Sequence, residues 1–328
     1  MSTLGRLRRA VPAVAAGIAL SVTVSGCVVV HGEREFLPTA TAGEAARALK
    51  DFTTAYNKAD KANDRSLDAD RVTGPLAAID GAKLKAGHKN NPSGNPDHAP
   101  LKLTDAKFVI PKKAGWPRWF VADTKANKGA ADSHWLLVFT RSEANDIWQV
   151  SYLTVLSAGD MPTFQQDKDG WAEPVTAGDA ELAVAPKELG QSYAAYLKSG
   201  GDTFAPGTHT SAWRDLRKKN ARKPGLARQY VDEALPSGDY APVGLRTSDG
   251  GALVFFSTRH FEKQTAAPGV DINVTDPNIK ALLTGEVKQS LTLEFVSNQA
   301  VLDPSRTASD RKVEFLSRVQ GLTGAQGE

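Results

Sequence analysis

Histidine and aspartate side chains occur close together in one polar stretch, where they could bind a metal ion. His88, Asp97 and His98 lie within or beside residues 87–100, which are rich in Asn, Pro and Gly. Imidazole nitrogens and carboxylate oxygens are common ligands of transition metals. The composition is equally typical of a solvated turn. We therefore predict no metal and no cofactor for the chain.

Serine and lysine residues provide a candidate for covalent catalysis. Ser309 and Lys312 have Ser-x-x-Lys spacing, and Lys198-Ser199-Gly200 resembles the Lys-Thr/Ser-Gly element of the penicillin-recognising enzymes. In those enzymes Ser-x-x-Lys comes first along the chain, whereas here it lies almost at the C-terminus. The chain also has no Gly-x-Ser-x-Gly elbow, no His-Glu-x-x-His helix and no P-loop. No catalytic residue is predicted.

The largest local charge feature is a basic run interrupted by Asp215. It consists of Arg214, Arg217, Lys218, Lys219, Arg222, Lys223 and Arg228. Outside the membrane such a patch can bind an envelope polyanion, lipid headgroups or the acidic linker of the same chain, and it can also be a solvated helix face. Nucleic acid is not expected, because 40 Lys+Arg stand against 37 Asp+Glu in the whole chain.

The N-terminus has the pattern of an export signal. Arg6, Arg8 and Arg9 precede a mostly apolar run over residues 10–24, which is shorter than the roughly 20 residues needed to span a bilayer. Arg8-Arg9 leaves twin-arginine export open beside general secretion, although the following residues lack its bulky apolar pattern. All the excess positive charge lies in this segment, since its removal leaves 37 basic and 37 acidic residues.

The residues that end the apolar run resemble a bacterial lipobox. Val24, Ser25 and Gly26 are an aliphatic residue and two small ones, and they precede Cys27, the one cysteine of the chain. The resemblance implies that Cys27 receives a thioether-linked diacylglycerol and becomes the first residue after cleavage. Acyl chains contribute about 0.8 kcal/mol of membrane affinity per buried methylene. An uncleaved anchor or a chance cysteine is the alternative.

Helical and extended patterns alternate along the exported chain. Thr41 and Glu44 have the spacing of a capping box, and three- and four-residue spacing of apolar residues predicts a helix over residues 43–63. A weaker helix is predicted near residues 76–84 and an irregular loop over 87–100. Extended runs follow at residues 101–110, 119–123, 134–141 and 147–156, with turn-prone links that favour an antiparallel meander.

The second half repeats this outline. Helices are predicted near residues 189–197, 213–221 and 226–235, with a short one after Asp276-Pro277, and strands over 241–247, 252–259 and 287–297. Residues 136–141 and 253–259 are similar, which leaves an internal duplication open. The predicted fold class is α+β, with two modules that each pack an amphipathic helix on a curved antiparallel sheet. This arrangement resembles the NTF2-like and cystatin-like architectures.

Composition divides the chain into five segments. We predict a lipoprotein signal peptide at residues 1–26, a lipidated tether at 27–42, a first α+β domain at 43–160, an acidic Pro/Gly linker at 161–186 and a second α+β domain at 187–328. The whole resembles the lipoproteins of high-GC Gram-positive bacteria of the streptomycete type. That resemblance carries no catalytic residue.

These observations predict a lipid-anchored protein on the extracytoplasmic side of the cell membrane. We expect a non-enzymatic binding or assembly module whose partners are the membrane, through the diacylglycerol on Cys27, and an envelope polyanion or protein. The alternative is an envelope hydrolase or cell-wall modifying enzyme with a site built from sequence-distant residues.

Overall fold

The computed structural model of the protein describes residues 35–328. The first half of the fold contains β1 (Leu37–Pro38), α1 (Ala42–Ala62), α2 (Gly74–Asn90), β2 (Leu103–Val109), β3 (Lys112–Lys113), β4 (Arg118–Ala126), β5 (His134–Arg141) and β6 (Gln149–Leu156). The second half contains β7 (Pro174–Val175), α3 (Leu189–Ser199), α4 (Ser211–Asn220), β8 (Arg222–Lys223), β9 (Leu226–Ala234), β10 (Val243–Arg246), β11 (Ala252–Ala266), α5 (Pro277–Leu282), β12 (Leu283–Gly285), β13 (Ser290–Asp303) and β14 (Glu314–Gly327). Between residues 35 and 328, no helix has the length and apolar character needed to cross a membrane.

Most of the strands lie in two curved sheets in which antiparallel pairing dominates, and β1 and β3 form a separate two-stranded antiparallel sheet. The first sheet has the order β2-β4-β5-β6, and each neighbouring pair is antiparallel. The second sheet has the order β12-β14-β13-β11-β10-β7, with β9 beside β11 and β8 beside β9. Within it, β12 runs parallel to β14. The first sheet is the meander that the sequence predicts.

Helix α1 begins where the sequence indicates. The Thr41 hydroxyl accepts a hydrogen bond from the Glu44 backbone N–H at 3.2 Å, and the Glu44 carboxylate accepts one from the Thr41 N–H at 2.8 Å. This capping box satisfies two backbone donors that the first helical turn would otherwise leave unpaired. The buried face of α1 includes Leu49 and Phe52, and burial of a side chain of this size contributes about 1.5–3 kcal/mol.

The interior strand β5 of the first sheet is apolar on both faces because it lies between two layers. Leu137 and Phe139 of β5 belong to the core beneath α1, and Phe139 stacks on Phe120 with ring centroids 4.8 Å apart. Leu136 and Val138 point the other way, into a core shared with the second sheet. A continuous apolar run is the pattern expected of a strand that is buried on both sides.

The second sheet has the same arrangement in mirror order. Leu253 and Phe255 of β11 contact the shared core, whereas Val254 and Phe256 contact α3. The fold is therefore four layers deep: α1, first sheet, second sheet and α3. The predicted α+β class, with a helix packed on a curved antiparallel sheet in each of two modules, is confirmed.

The segments predicted as tether and linker contain residues that are packed into this fold. Thr39 is buried and its hydroxyl donates to the Trp119 carbonyl at 2.7 Å. In the acidic stretch, Ala172 donates to the Ile110 carbonyl at 3.1 Å and β7 pairs with β10. Residues 161–186 are thus hydrogen-bonded to both modules. The boundaries of the five segments stay a prediction.

The helix predicted over residues 226–235 is wrong, because this stretch is strand β9. It pairs with β11 from Ala234 opposite Thr258 to Leu226 opposite Ala266. Leu226, Tyr230 and Ala234 recur every four residues, which is a helical spacing. Strand β11 is 15 residues long and β10 covers only its first part, so the remaining backbone groups need a strand beside them.

Two further differences concern the ends of elements. Helix α2 continues to Asn90 and contacts α5 and β14, so the irregular loop begins at Asn91 rather than at residue 87. Strand β14 has no counterpart among the sequence predictions, since its glycines have low strand propensity. Gly321 is required by packing: a Cβ there would lie 2.5 Å from Cγ2 of Ile79 on α2.

Candidate functional site

A cleft of about 920 Å³ lies between α3, α4 and β9, and we call it the α3–α4 cleft. Its walls include Lys198 on α3 and Arg214 and Lys218 on α4, and Tyr230 on β9 contributes to its floor. The two helices approach closely after Gly200, whose φ is 78° and where a Cβ would lie 2.9 Å from Nη1 of Arg214. Glycine is therefore needed both for the turn and for this contact.

The walls of the cleft are positively charged. Within residues 35–328, none of Lys198, Arg214 and Lys218 forms a salt bridge, and the acids in the lining are Asp215 and Asp232. The Arg214 guanidinium lies 5.3 Å from the Tyr196 ring centroid, and its Nε donates to the Leu197 carbonyl at 3.4 Å. A cation is favourable there because it faces the C-terminal end of α3. Three cationic side chains thus remain available to an external anion.

The floor of the cleft holds a buried ion pair. Arg217 donates to both Asp232 carboxylate oxygens, at 2.7 and 2.9 Å, and the two side chains are only 7% and 9% exposed. The guanidinium also lies 5.0 Å from the Trp213 ring and 4.8 Å from the Tyr230 ring. Bidentate geometry makes this a strong pair. Arg217 is therefore committed to the protein's own carboxylate and holds α4 on β9.

The predicted basic patch is divided among three elements. Arg214, Arg217, Lys218 and Lys219 lie on α4, whereas Arg222 and Lys223 lie on β8 and Arg228 lies on β9. Arg228 donates to Glu262 at 2.9 Å. The partners of Arg217 and Arg228 are thus on neighbouring strands rather than in the acidic stretch, where Asp167 pairs with Lys112 at 2.7 Å and Asp179 pairs with Arg246.

The Ser-x-x-Lys residues lie elsewhere. Ser309 and Lys312 are exposed between β13 and β14, while Lys198 and Ser199 line the α3–α4 cleft. The structure does not bring them together in this cavity. Lys198 contributes a positive charge to the candidate site. It could not be predicted as part of the site because it lies outside the basic run in the sequence.

The histidine of the predicted metal stretch instead binds a helix. Nδ1 of His98 lies 2.7 Å from the Asp60 carboxylate, which also accepts a hydrogen bond from Lys83 at 3.0 Å. Burial would raise the pKa of Asp60, but the hydrogen bonds from His98 and Lys83 outweigh it and lower that pKa. In the part of the chain described here, no three His, Cys, Asp or Glu side chains are grouped to hold a metal ion. His98 fastens its loop to α1.

Two buried carboxylates lie close together where α2 packs on the residues before it, a proximity that the sequence pattern did not predict. Asp68 and Asp80 are 1% and 5% exposed, and each affects the pKa of the other. Burial, and then the neighbouring Asp80, raise the pKa of Asp68 to about 8. Paired carboxylates are typical of acid–base catalysis, but these are enclosed, and neither lines the α3–α4 cleft.

An aspartate–histidine pair joins β4 and β5 of the first sheet. Nδ1 of His134 is 2.6 Å from the Asp123 carboxylate, beside a cavity of about 250 Å³. Such a pair can activate a hydroxyl nucleophile. The hydroxyl in the lining belongs to Thr124, which is buried and donates to the Trp135 carbonyl at 3.2 Å. It is already committed to the backbone, so this geometry lacks a free nucleophile.

Lipoproteins of Streptomyces are similar to this chain over almost its whole length. A protein of Streptomyces avermitilis named uncharacterized lipoprotein is 70% identical over 316 residues, or 96% of this chain and 95% of the relative. One of Streptomyces coelicolor with the same description is 60% identical over 323 residues, or 98% and 97%. Another from that species is 26% identical over 359 residues.

These relatives define the class as lipoproteins of the streptomycete type, which confirms the resemblance seen in the sequence. Residues 36–327 match the family described as domain of unknown function DUF8094, and the chain belongs to that family. No solved structure matches the chain. The lipobox and Cys27 lie outside the described residues.

Proposed function

We propose that this protein is a lipid-anchored binding module on the extracytoplasmic side of the cell membrane, and that it holds an anionic envelope polymer in the α3–α4 cleft. The observation that carries the proposal is the set of three cations without a carboxylate partner, Lys198, Arg214 and Lys218, on opposite walls of one cleft. Clustered like charges around a concave surface attract a polyanion more strongly than scattered ones.

Two tyrosine rings support the arginines in and beneath the cleft. Tyr196 and Tyr230 are packed against the guanidinium groups of Arg214 and Arg217. The contact with Tyr196 holds Arg214 in place before a ligand arrives, and a preorganised side chain loses less entropy on binding.

The position of the N-terminus supports anchoring through Cys27. The fold begins at β1, and the eight residue-to-residue steps from Cys27 to Glu35 can span at most about 28 Å. The first sheet therefore stays close to the lipid surface. Phe36, just before β1, is 70% exposed, and Trp116, between β3 and β4, has the Arg118 guanidinium 4.8 Å from its ring centroid. Aromatic and basic side chains are favoured at membrane interfaces.

Replacement of Cys27 with Ala is expected to release the protein from the membrane. Without the thiol no diacylglycerol can be attached, and the chain after residue 26, with 37 basic and 37 acidic residues, has little attraction to anionic lipid. Detergent phase partitioning of wild type and variant measures this directly. Cys27→Ser, which keeps the size of the side chain but lacks the thiol, should be released in the same way. Wild-type protein found in the aqueous phase would contradict lipidation.

Replacement of Lys198, Arg214 and Lys218 together with Ser is expected to weaken polyanion binding about tenfold at low salt. The measurement is titration with poly(glycerol phosphate), the backbone chemistry of a teichoic acid, at 50 and 300 mM salt. The wild-type affinity should fall at the higher salt, because screening shortens the range of the interaction.

The matched control removes three exposed lysines from the first module, Lys50, Lys58 and Lys102. It changes the net charge equally but leaves the cleft intact, so its affinity should stay within about twofold of wild type. Equal losses in both variants would show attraction by net charge alone and would refute the cleft as the binding site.

A further inference from the structure

A second cavity, of about 410 Å³, opens on the other side of α4, and we call it the Arg318 pocket. Strand β14 contributes Arg318 and Gln320, and the remaining lining comes from α4 and the residues before it: Thr208, His209, Ala212, Trp213 and Leu216. The volume is in the range of small-molecule sites. It lies in the second module, outside the cleft to which the proposed function is assigned.

The positive charge in this pocket has no counter-charge. Within residues 35–328 the Arg318 side chain makes neither a hydrogen bond nor a salt bridge, and its Nε is buried without a partner. Its guanidinium lies 4.6 Å from the Trp213 ring centroid. Asp232 is the carboxylate whose charge acts on the pKa of Arg318. Both of its oxygens, however, already accept hydrogen bonds from Arg217. Arg318 is half-buried, and leaving a guanidinium there without a counter-charge costs free energy.

The residues that line the pocket beside Arg318 include no aspartate or glutamate. Burial lowers the pKa of His209, and the Arg318 charge lowers it further. The indole Nε1 of Trp213 is buried without an acceptor. Behind them, His260 is stacked on Phe295 and burial lowers its pKa to about 3, so it is neutral at physiological pH. The pocket therefore presents a fixed cation, without a neighbouring acid in its lining, beside the apolar surface of Ala212 and Leu216.

We infer that the Arg318 pocket binds an oxyanion, either a carboxylate or a phosphate, carried on a sugar-sized body. The guanidinium would hold two oxygens of the anion in its planar fork, as arginine does with both groups. The apolar side of the pocket would contact the body of the ligand. Such a ligand supplies the negative charge that the described part of the chain does not provide for Arg318.

Three related sugars test the inference by titration of the full-length protein in detergent. N-acetylmuramic acid adds a lactyl carboxylate to N-acetylglucosamine, and N-acetylglucosamine 1-phosphate adds a phosphate, whereas N-acetylglucosamine itself is neutral. We expect one or both anions to bind at least tenfold more tightly than the neutral sugar. The stronger of the two identifies carboxylate or phosphate as the preferred group. No binding of either anion at about 10 mM, or equal binding of all three sugars, would overturn the inference.

The variant Arg318→Met keeps the length of the side chain and removes its charge. We expect at least a tenfold loss of anion affinity, with a melting temperature equal to or above that of the wild type because a half-buried charge without a counter-charge has been removed. Arg318→Lys retains the charge without the fork and should bind at an intermediate level. Should Arg318→Met unfold, the lysine variant still provides the comparison. Unchanged anion affinity in both variants would refute the assignment.

The cleft variant of Lys198, Arg214 and Lys218 separates this inference from the proposed function. It should bind the anionic sugars as wild type does while losing poly(glycerol phosphate), and Arg318→Met should show the reverse. Loss of both ligands in either variant would contradict two independent sites.

Discussion

Replacement of Asp232 with Asn is expected to reduce the free energy of unfolding by about 3–5 kcal/mol, the cost of breaking a buried ion pair by removing one partner. The change preserves the shape of the side chain, so little of the loss will come from a cavity. What it removes is the charge that neutralises Arg217 on the floor of the α3–α4 cleft.

The loss should be large because a second cation is close by. Arg217 and Arg318 both lie over the Trp213 ring, at 5.0 and 4.6 Å, and the pKa of Arg318 is lowered by burial and by Arg217. Without Asp232, two guanidinium groups would share one enclosed region with no carboxylate. Repulsion between them adds to the desolvation cost.

Urea-induced unfolding of the wild type and variants at pH 7 measures the effect. Glu328→Gln is the matched control, since it breaks the exposed pair with Lys263, whose side chains are 44% and 55% exposed. That change should cost less than about 1 kcal/mol. The double variant Arg217→Met with Asp232→Leu should recover most of the stability, because apolar residues of similar volume can replace a buried pair. A loss below about 1 kcal/mol for Asp232→Asn would contradict this account.

Stability is expected to fall as the pH rises from about 4 to about 8, through the carboxyl pair of Asp68 and Asp80. The unfolded pKa of Asp68 is 3.8, whereas burial and the adjacent Asp80 raise it to about 8 in the folded protein. The folded state therefore holds a proton that the unfolded state releases across this range. By linkage the free energy of unfolding is highest below the unfolded pKa and decreases up to the folded pKa.

The variant Asp68→Asn should remove most of this pH dependence and should be more stable than the wild type at pH 8. Its amide needs no proton in order to be neutral beside Asp80. The difference should reach several kcal/mol, since each unit of pKa corresponds to about 1.4 kcal/mol. Unfolding free energies at half-unit steps from pH 5 to pH 8 provide the measurement.

Two further variants separate this pair from other acids. Burial also raises the pKa of Asp303, to about 7, so Asp303→Asn should remove a smaller part of the same slope. Asp51 is 54% exposed, and Asp51→Asn should leave the slope unchanged. If Asp68→Asn keeps the wild-type slope, the two carboxyls do not share a proton.

Elements with a strong local pattern could be predicted from the sequence. The capping box of Thr41 and Glu44 begins α1, and the apolar runs that became β4, β5 and β6 were recognisable because successive residues face two cores. Their stability depends largely on nearby residues and on burial of their own side chains. The lipobox is likewise a local motif, and the predicted lipoprotein class agrees with the relatives.

Elements whose partners are distant could not be predicted in the same way. Residues 226–234 have a helical spacing but became β9 because β11 required a partner strand. The glycine-rich β14 is held by its ladder with β13 and by α2. Pairing energy from residues far away in sequence outweighs local propensity in both cases.

The candidate site shows the same division. The sequence by itself determined which residues carry positive charge between 214 and 228, and that the cysteine follows a lipobox-like motif. Only the tertiary structure decided that Arg217 is neutralised by Asp232, that Lys198 joins the cleft, and that Arg318 is left without a counter-charge. The physical reason is that the charge of a side chain is a property of the residue, whereas its availability to a ligand depends on burial and on partners that folding brings near.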